Sequence, residues 1–264
     1  LEFRRVLFRS GLPFAIVFLA AQTAVSGEAV PVPGARAFLW CVVGMGAQMI
    51  ATALMLIAMQ ARSFVLVTAY TKTEPVLVAI FAMLFLAEVP TPLVGTAIVI
   101  ATAGVLLMSS PKGGAPLEGG ARPALTGLAS AAFFGLSATG YRGTILAMPQ
   151  ASFYMTATTV LVMGLAMQSA IILAWLALRD RGLLAAIARE WRQSLLAGFM
   201  GAFGSQFWYL GFAVTSPALV RTLALVEVFF AQFVSRGLRK EAVRGVEAAG
   251  MALIVLGVTL LLMA

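Results

Sequence analysis

A short polar stretch, Tyr70–Pro75 (YTKTEP), interrupts an apolar run that extends from about Phe64 to Leu86. The stretch carries a lysine, a carboxylate, a tyrosine and two threonines. The run around it is long enough to cross the hydrocarbon core of a bilayer, which takes about 20 helical residues. Glu74 would then lie near the membrane midplane, where an ionisable group costs about 3 kcal/mol or more. The pattern therefore predicts a functional carboxylate.

The residues around Glu74 have the spacing of a site on an interrupted helix. Tyr70 and Thr71 precede Glu74 by four and three residues, so they share its helix face and can hydrogen-bond its carboxyl group. Pro75 has no N–H, so the carbonyl of Thr71 loses its helical partner and the helix can kink there. Transporters build midplane sites on such helices. The favoured interpretation is a carboxylate that binds a proton or a cation; a structural ion pair is the alternative.

The elements that position this stretch are predicted to be membrane helices. Of the 264 residues, 61% are hydrophobic and 11% are charged, whereas soluble domains have about 45–50% apolar and about 25% charged residues. The apolar runs contain Gly and Pro and lack the alternation of a β-barrel, so we predict an all-α polytopic bundle. Nine spans are expected, at about 11–24, 37–60, 64–86, 92–108, 124–148, 152–178, 194–214, 217–234 and 246–264. Residues 179–193 are typical of an interfacial helix with Trp191 at headgroup level.

Charge and residue usage exclude several classes of function. The net charge of +8 comes from basic residues in the loops between spans, which indicates membrane topology and not nucleic-acid binding. The chain has no histidine and a single cysteine, Cys41, so disulfides, most zinc sites and His-dependent triads are excluded. No phosphate-loop motif is present. We therefore predict a protein that is not an enzyme and has no cofactor or metal.

The two halves of the chain align at a constant offset of 153 residues across two spans. Two of the matches involve acidic residues, of which the chain has only ten, and such internal repeats are typical of secondary transporters. The principal matches are Glu74 with Glu227, Glu88 with Glu241, Gly104 with Gly257 and Val105 with Val258.

This alignment divides the chain. Residues 11–110 form a first repeat of four spans, 111–123 a linker, and 124–264 a second repeat of five spans. Residues 1–10 (LEFRRVLFRS) would align with an apolar half-span, so we expect them to be non-native and the first helix of a ten-span parent to be missing.

Five spans per repeat is an odd number, so the copies should be inverted in the membrane. In the predicted topology, Arg36 lies on one side of the membrane and the other basic loop residues lie on the opposite side. Because cytoplasmic loops are rich in Lys and Arg, the side with many basic residues is predicted to be cytoplasmic, and Ala264 is predicted to lie outside. The cytoplasmic set is Arg62, Lys112, Arg122, Arg179, Arg181, Arg189, Arg192, Arg236, Arg239, Lys240 and Arg244.

Two segments, Ala69–Met108 and Val220–Met263, each contain a mid-helix acidic residue, a Glu at the helix end and a Gly-containing closing helix. Through them, and through YRGTILAM and SLLAGFMGAFGSQFWYLGFA, the chain resembles EamA-like ten-helix permeases of the drug/metabolite transporter superfamily. The resemblance implies two inverted five-helix repeats in a bacterial inner membrane and a cavity for small organic solutes. Val228 replaces Pro75 in the second copy, so a kink is expected only in the first.

Lys72 and Glu227 are the two charges without a partner on their own helices. Lys72 is two residues from Glu74 and points to a different face, and Glu227 has only apolar helix neighbours. We therefore predict an ion pair between Lys72 and Glu227. Arg142, beside Tyr141, could bind an anionic group or extend to an interface, and Arg221 is expected to extend to an interface.

Gln206, Trp208 and Tyr209 place an amide and two aromatic rings on one span, and Gln48 is the candidate counterpart in the first repeat. Aromatic faces suit organic cations or solutes with rings, although packing is the alternative for these residues. Together the residues predict an alternating-access transporter that exports small organic metabolites or drugs with proton coupling through Glu74 or Glu227. Its partners would be the solute, protons and the bilayer. A truncated, inactive membrane protein and an uncoupled facilitator are the alternatives.

Overall fold

The computed structural model describes residues 11–61, 67, 70–108, 122–148, 151–182, 191–230 and 245–264. All regular secondary structure in these residues is helical, with loops between the helices and without strands, so the all-α class is confirmed for them. The helices are α1 (Leu12–Ser26), α2 (Ala35–Ala61), α3 (Glu74–Leu86), α4 (Pro92–Met108), α5 (Arg122–Leu146), α6 (Phe153–Arg179), α7 (Trp191–Val214), α8 (Pro217–Leu223) and α9 (Gly245–Leu262), with a 3₁₀ turn at Ala224–Val226. Every predicted span contains helix.

Local sequence explains where several helices begin and end. α3 and α8 begin with prolines in their first turn, Pro75 and Pro217, where a missing N–H costs nothing. α1 ends at Gly27, whose φ of 68° suits glycine and whose N–H bonds to Thr23 O. α3 ends in the same left-handed conformation at Ala87, a residue with a Cβ.

Three of the described helices are long and apolar enough to cross a membrane: α2 over Ala35–Gln60, α6 and α9. α6 has 27 residues and rises about 40 Å, which exceeds a hydrocarbon core of about 30 Å. α1, α3 and α4 are apolar but shorter. Residues 183–190 of the predicted interfacial segment 179–193 lie outside the described residues, as do residues 1–10 and most of the predicted linker.

The chain forms two compact units. Unit 1 comprises Leu1–Met49 and Gly140–Thr215, and unit 2 comprises Ile50–Thr139 and Ser216–Ala264. The divisions fall within α2 and α5, and each unit takes segments from both predicted repeats. The compact units therefore differ from the two halves of the sequence, and the division into repeats stays a prediction.

Unit 1 contains α1, α6, α7 and the adjoining parts of α2 and α5. Phe14 and Phe18 of α1 meet Phe199 of α7 edge-on, with ring centroids 5.5 and 6.3 Å apart. α2 and α5 approach each other closely at two glycines, because a Cβ atom on Gly140 would lie 2.6 Å from the backbone nitrogen of Gly44. Small residues thus let these helix backbones touch.

In unit 2 the main packing is between α4 and α9. A Cβ atom on Gly104 would lie 2.7 Å from the carbonyl oxygen of Gly250, and one on Gly257 would lie 2.8 Å from that of Ala97. At the offset of 153 residues, Gly104 corresponds to Gly257 and Ala97 to Gly250. The two contacts are therefore reciprocal. Ala97 contacts Gly257, and Gly104, further along α4, contacts Gly250, which is earlier in α9. The two helices therefore run antiparallel.

The α4–α9 contact leads to a prediction about Gly104→Ala. The added methyl group would overlap the backbone of α9, so we expect the free energy of unfolding to fall by about 1–3 kcal/mol. Gly95→Ala is the matched control on the same helix, because a Cβ atom there meets nothing within 4 Å. Thermal melting of the purified variants in detergent measures both. Equal melting temperatures for the two variants would contradict the close contact.

Candidate functional site

The helix that carries Glu74 is interrupted just before this residue. Residues 70 and 71 are helical, Lys72 and Thr73 form a turn, and α3 begins at Glu74. The turn is closed by short-range bonds, from Thr73 N–H to Tyr70 O at 3.2 Å and from the Thr73 hydroxyl to the same oxygen at 2.8 Å. Pro75 is the second residue of α3, so the irregularity lies ahead of the proline.

The corresponding segment of the second predicted repeat also departs from regular α-helix. α8 ends at Leu223, the 3₁₀ turn covers Ala224–Val226, and residues 227–230 are α-helical again. This segment thus departs from regular α-helix without a proline, whereas the kink expected only in the first copy stays a prediction. Leu225 of the turn is buried in the core of unit 2 with residues of α4 and α9, including Val105 and Ile254. In both segments regular α-helix resumes at the glutamate.

The predicted ion pair between Lys72 and Glu227 is present. The Lys72 ammonium donates a hydrogen bond to Oε1 of Glu227. The lysine side chain is 23% exposed and the glutamate side chain is 52% exposed. The glutamate of this pair is therefore accessible to solvent, whereas the lysine is mostly covered.

A second ion pair joins the remaining glutamate to Arg221. The Arg221 Nε and Glu74 Oε1 atoms lie 3.0 Å apart, and the two side chains are only 18% and 12% exposed. The Nε–H is not aligned with Oε1, so the contact is ionic without a well-directed hydrogen bond. The expectation that Arg221 extends to an interface was wrong, because a shielded carboxylate requires a counter-charge close by.

The two ion pairs are arranged reciprocally within unit 2. Each glutamate takes its cation from the helix of the other predicted repeat: Glu74 from the segment before Glu227, and Glu227 from the segment before Glu74. Two acidic and two basic side chains are thus collected in the part of the fold where both helices are interrupted. The four formal charges sum to zero.

The other residues predicted around Glu74 lie close to it in the chain. Tyr70 packs against α5, since a Cβ atom on Gly127 would lie 2.9 Å from the Tyr70 Cβ. Thr71 is buried. Their predicted hydrogen bonds to the Glu74 carboxyl group stay predictions.

Unit 1 holds the predicted aromatic and amide residues. The rings of Tyr141 and Tyr209 lie 4.7 Å apart, and Trp208 contacts Phe212 with ring centroids 6.1 Å apart. Gln206 is buried, whereas Gln48 is half-buried on α2.

Two polar residues of α6 were missed by sequence reasoning. Gln168 Nε2 donates to the Tyr141 hydroxyl at 3.0 Å, and Thr158 accepts a hydrogen bond of 2.7 Å from Gln206. Their only signal in the sequence is that they are hydrogen-bonding side chains inside an apolar span. That signal does not identify which helix supplies the partner.

Arg142 has a role that neither sequence alternative described. One guanidinium nitrogen donates to the carbonyl oxygens of Phe212 at 2.6 Å and Ala213 at 3.3 Å, near the end of α7. The last carbonyls of a helix lack intrahelical donors, and a cation also complements their partial negative charge. Arg142 therefore stabilises the C-terminal end of α7.

Glu28 makes a contact that the sequence did not predict. In the loop between α1 and α2, its carboxylate accepts hydrogen bonds from the Ser152 hydroxyl and from the Ser152 N–H, the latter at 2.7 Å. These bonds, the hydroxyl first, lower the pKa of Glu28 below its usual value. Ser152 is the N-cap of α6, so the carboxylate joins this loop to the start of α6.

Comparisons with known proteins bear on the fold alone. No protein-family model matches the chain, and no curated protein sequence matches it. A protein of known crystal structure is similar, with a TM-score of 0.73 and 17% sequence identity. The similarity covers 99% of this chain and 88% of the other. At this identity the likeness shows a shared fold.

The Glu74–Arg221 pair predicts the outcome of a double-mutant cycle. Arg221→Gln leaves a shielded carboxylate without its counter-charge, and breaking such pairs costs about 3–5 kcal/mol. Glu74→Gln combined with Arg221→Gln removes both charges, so we expect most of this loss to be recovered.

Thermal melting of the four proteins in detergent, together with unfolding in denaturant, measures the coupling. The corresponding cycle at Lys72 and Glu227 is the control and should give a smaller coupling because that pair is more exposed. Additive losses at Glu74 and Arg221 would rule out the pair as a stabilising contact.

The Glu28 contact predicts a pH-dependent stability. Because its folded-state pKa is lowered, the ionised carboxylate stabilises the fold above the ordinary Glu value of about 4.3, and this contribution is lost as pH falls through the folded-state pKa. Glu28→Gln should therefore lower the melting temperature at pH 7, with the difference from wild type shrinking below about pH 4. A difference that is constant from pH 7 to pH 3 would exclude this role.

Proposed function

We propose that the protein is an alternating-access secondary transporter of small organic solutes. The observation that carries the proposal is the reciprocal pair of ion pairs at the two helix interruptions. Four charged side chains in apolar helices are costly to bury, and interrupted helices of inverted repeats are where transporters place their central sites.

The contact between α4 and α9 supports inverted repeats. Reciprocal contacts between equivalent positions, such as Gly104 with Gly250 and Gly257 with Ala97, are what a two-fold relation between two copies produces. Copies of opposite membrane orientation also require equivalent helices to run in opposite directions, as α4 and α9 do. The resumption of helix at both Glu74 and Glu227 is a further equivalence.

The exposure of the Lys72–Glu227 pair supports a water-filled space beside it. Charged side chains within membrane segments face a bundle interior or an aqueous cavity and avoid lipid. Glu227 is half-exposed, so water, and with it a polar solute, would have access to this pair. Such a cavity is the place where a solute could exchange with a protein charge.

Proton coupling follows from the chemistry of the four groups. Protonation of either glutamate removes a negative charge and releases its partner cation. If an ion pair forms in only one of the inward-facing and outward-facing states, its loss on protonation would shift the equilibrium toward the other state. A proton gradient could drive export in this way. From the charge pattern of the loops we infer a bacterial cytoplasmic membrane, with the arginine-rich loops inside the cell.

Reconstituted flux tests this function. Proteoliposomes that contain a pH indicator would be given, in turn, amino acids, nucleosides and organic cations. We expect one group to change the internal pH with wild-type protein, and Glu74→Gln to reduce that signal at least about tenfold, as expected if a coupling group is lost.

Glu247→Gln, a change in the first turn of α9 and outside the four-residue site, is the matched control and should retain flux. Proton coupling at this site would be refuted if the wild-type flux did not depend on a pH gradient and the Glu74→Gln variant had the same flux. Absence of flux for all three groups would count against transport of these solutes.

A further inference from the structure

One face of α7 is uncovered although it carries the residues of a helix contact. Ala197, Gly201 and Gly204 are spaced by four and three residues, so they lie on the same side of the helix. All three are exposed, and a Cβ atom on either glycine would meet no described residue within 4 Å. The opposite side of α7 is covered, with Ala202 and Gln206 buried in unit 1. We call the uncovered side, defined by residues 197, 201 and 204, the open face of α7.

The open face has the wrong composition for contact with lipid. Glycine lowers the stability of a helix relative to alanine, and lipid chains make no close contact with a glycine backbone that would offset this loss. In membrane bundles, small residues are enriched where a second helix packs, because they let the two backbones approach closely. The composition of the open face therefore indicates that another helix covers it.

The ends of the helices show which part of the fold corresponds to α7. α2 ends at Ala61 and α7 ends at Val214, and α1 ends at Ser26 and α6 ends at Arg179. Both pairs of helix ends are separated by 153 residues, the offset that also aligns the two halves of the sequence. Without gaps, α7 therefore corresponds to α2.

On α2 the corresponding residues are covered by α5. Two residues of the open face have buried counterparts on α2: Gly44 for Ala197 and Ala51 for Gly204. A Cβ atom on Gly44 would lie 3.0 Å from the backbone nitrogen of Tyr141 in α5. The carbonyl oxygen of Ala51 accepts a hydrogen bond of 2.8 Å from the buried Ser130 hydroxyl of α5. The same positions are thus helix contacts on α2 and uncovered on α7.

We propose that the open face of α7 binds a transmembrane helix that corresponds to α5, namely the first span expected of the ten-span parent. Such a helix would lie ahead of α1 in the sequence, as α5 lies ahead of α6. It would place small residues against Gly201 and Gly204, as α5 places Gly140 against Gly44. The proposal rests on the predicted repeat and is independent of transport.

A fluorescent peptide of residues 122–148, which includes α5, is the probe, because α5 has the surface that the proposal requires. It is titrated into the purified full chain in detergent, and binding is followed by fluorescence anisotropy. We expect wild type to bind the peptide, and Gly201→Leu and Gly204→Leu each to weaken binding at least about tenfold, since a leucine keeps the two backbones apart. Gly46→Leu is the matched control and should keep the affinity, because it makes the same change on α2 at a glycine with no described residue within 4 Å.

Changes in the peptide test the same contact with the unaltered chain, so they apply even if a chain variant fails to fold. In the peptide, Gly140→Leu should weaken binding at least about tenfold for the same reason. Leu128→Ala should leave the affinity unchanged, because Leu128 is exposed on α5 and lies away from its contact with α2.

The proposal would be overturned if wild type did not bind the peptide, if the folded Gly201→Leu and Gly204→Leu variants bound it as tightly as wild type, or if the Gly140→Leu peptide bound as tightly as the original. Sedimentation of the chain alone tests a second copy as the occupant. A wild-type dimer that becomes a monomer in Gly201→Leu would assign the open face to that second copy and would also overturn the proposal. Flux is measured separately, so failure of this proposal is distinguishable from failure of the transport proposal.

Discussion

Unit 2 depends on one physical constraint: a carboxylate that is shielded from water needs a cation close to it. Glu74 is only 12% exposed, and the lysine of its own segment, Lys72, donates its hydrogen bond to Glu227. Arg221, on another helix, places its guanidinium beside Glu74 as a close counter-charge. The same holds for Glu227, which is paired with Lys72. Two helices of distant sequence are thereby required to meet where each is interrupted.

The interruptions have different local causes and the same result. Before Glu74, the bonds to Tyr70 O close the turn and Pro75 occupies the first turn of α3, where its missing N–H is tolerated. The corresponding segment before Glu227 has Val228 in place of the proline, and Leu225 of its 3₁₀ turn is buried with residues of α4 and α9. The tight reciprocal contact of α4 and α9 therefore supports the position of the second glutamate as well.

The sequence predicted the features that depend on composition and local spacing. Apolar runs located the helices, and the Lys72–Glu227 pair could be predicted because both charges lacked partners on their own helices. Arg221 was mispredicted because it stands near the edge of an apolar run, where hydropathy cannot tell a side chain that extends outward from one that turns inward. The Glu28–Ser152 contact joins residues 124 positions apart, and no periodicity carries that information. The two compact units interleave the sequence halves for the same reason: packing brings together segments that are distant in the chain.

Glu74 and Glu227, which correspond in the predicted repeat, have unequal environments and different partners. Lys72 stands two residues before Glu74, whereas Arg221 stands six residues before Glu227, so the cations are not equivalent although the carboxylates are. A lysine ammonium is a compact charge on a flexible stem, and an arginine guanidinium is a planar fork with a more fixed geometry. The more exposed pair thus contains the more adaptable cation, and the shielded pair contains the cation that stays charged in any surroundings. The exposed Lys72–Glu227 pair is therefore the easier of the two to separate, whereas the shielded Glu74–Arg221 pair joins the two interrupted segments more firmly.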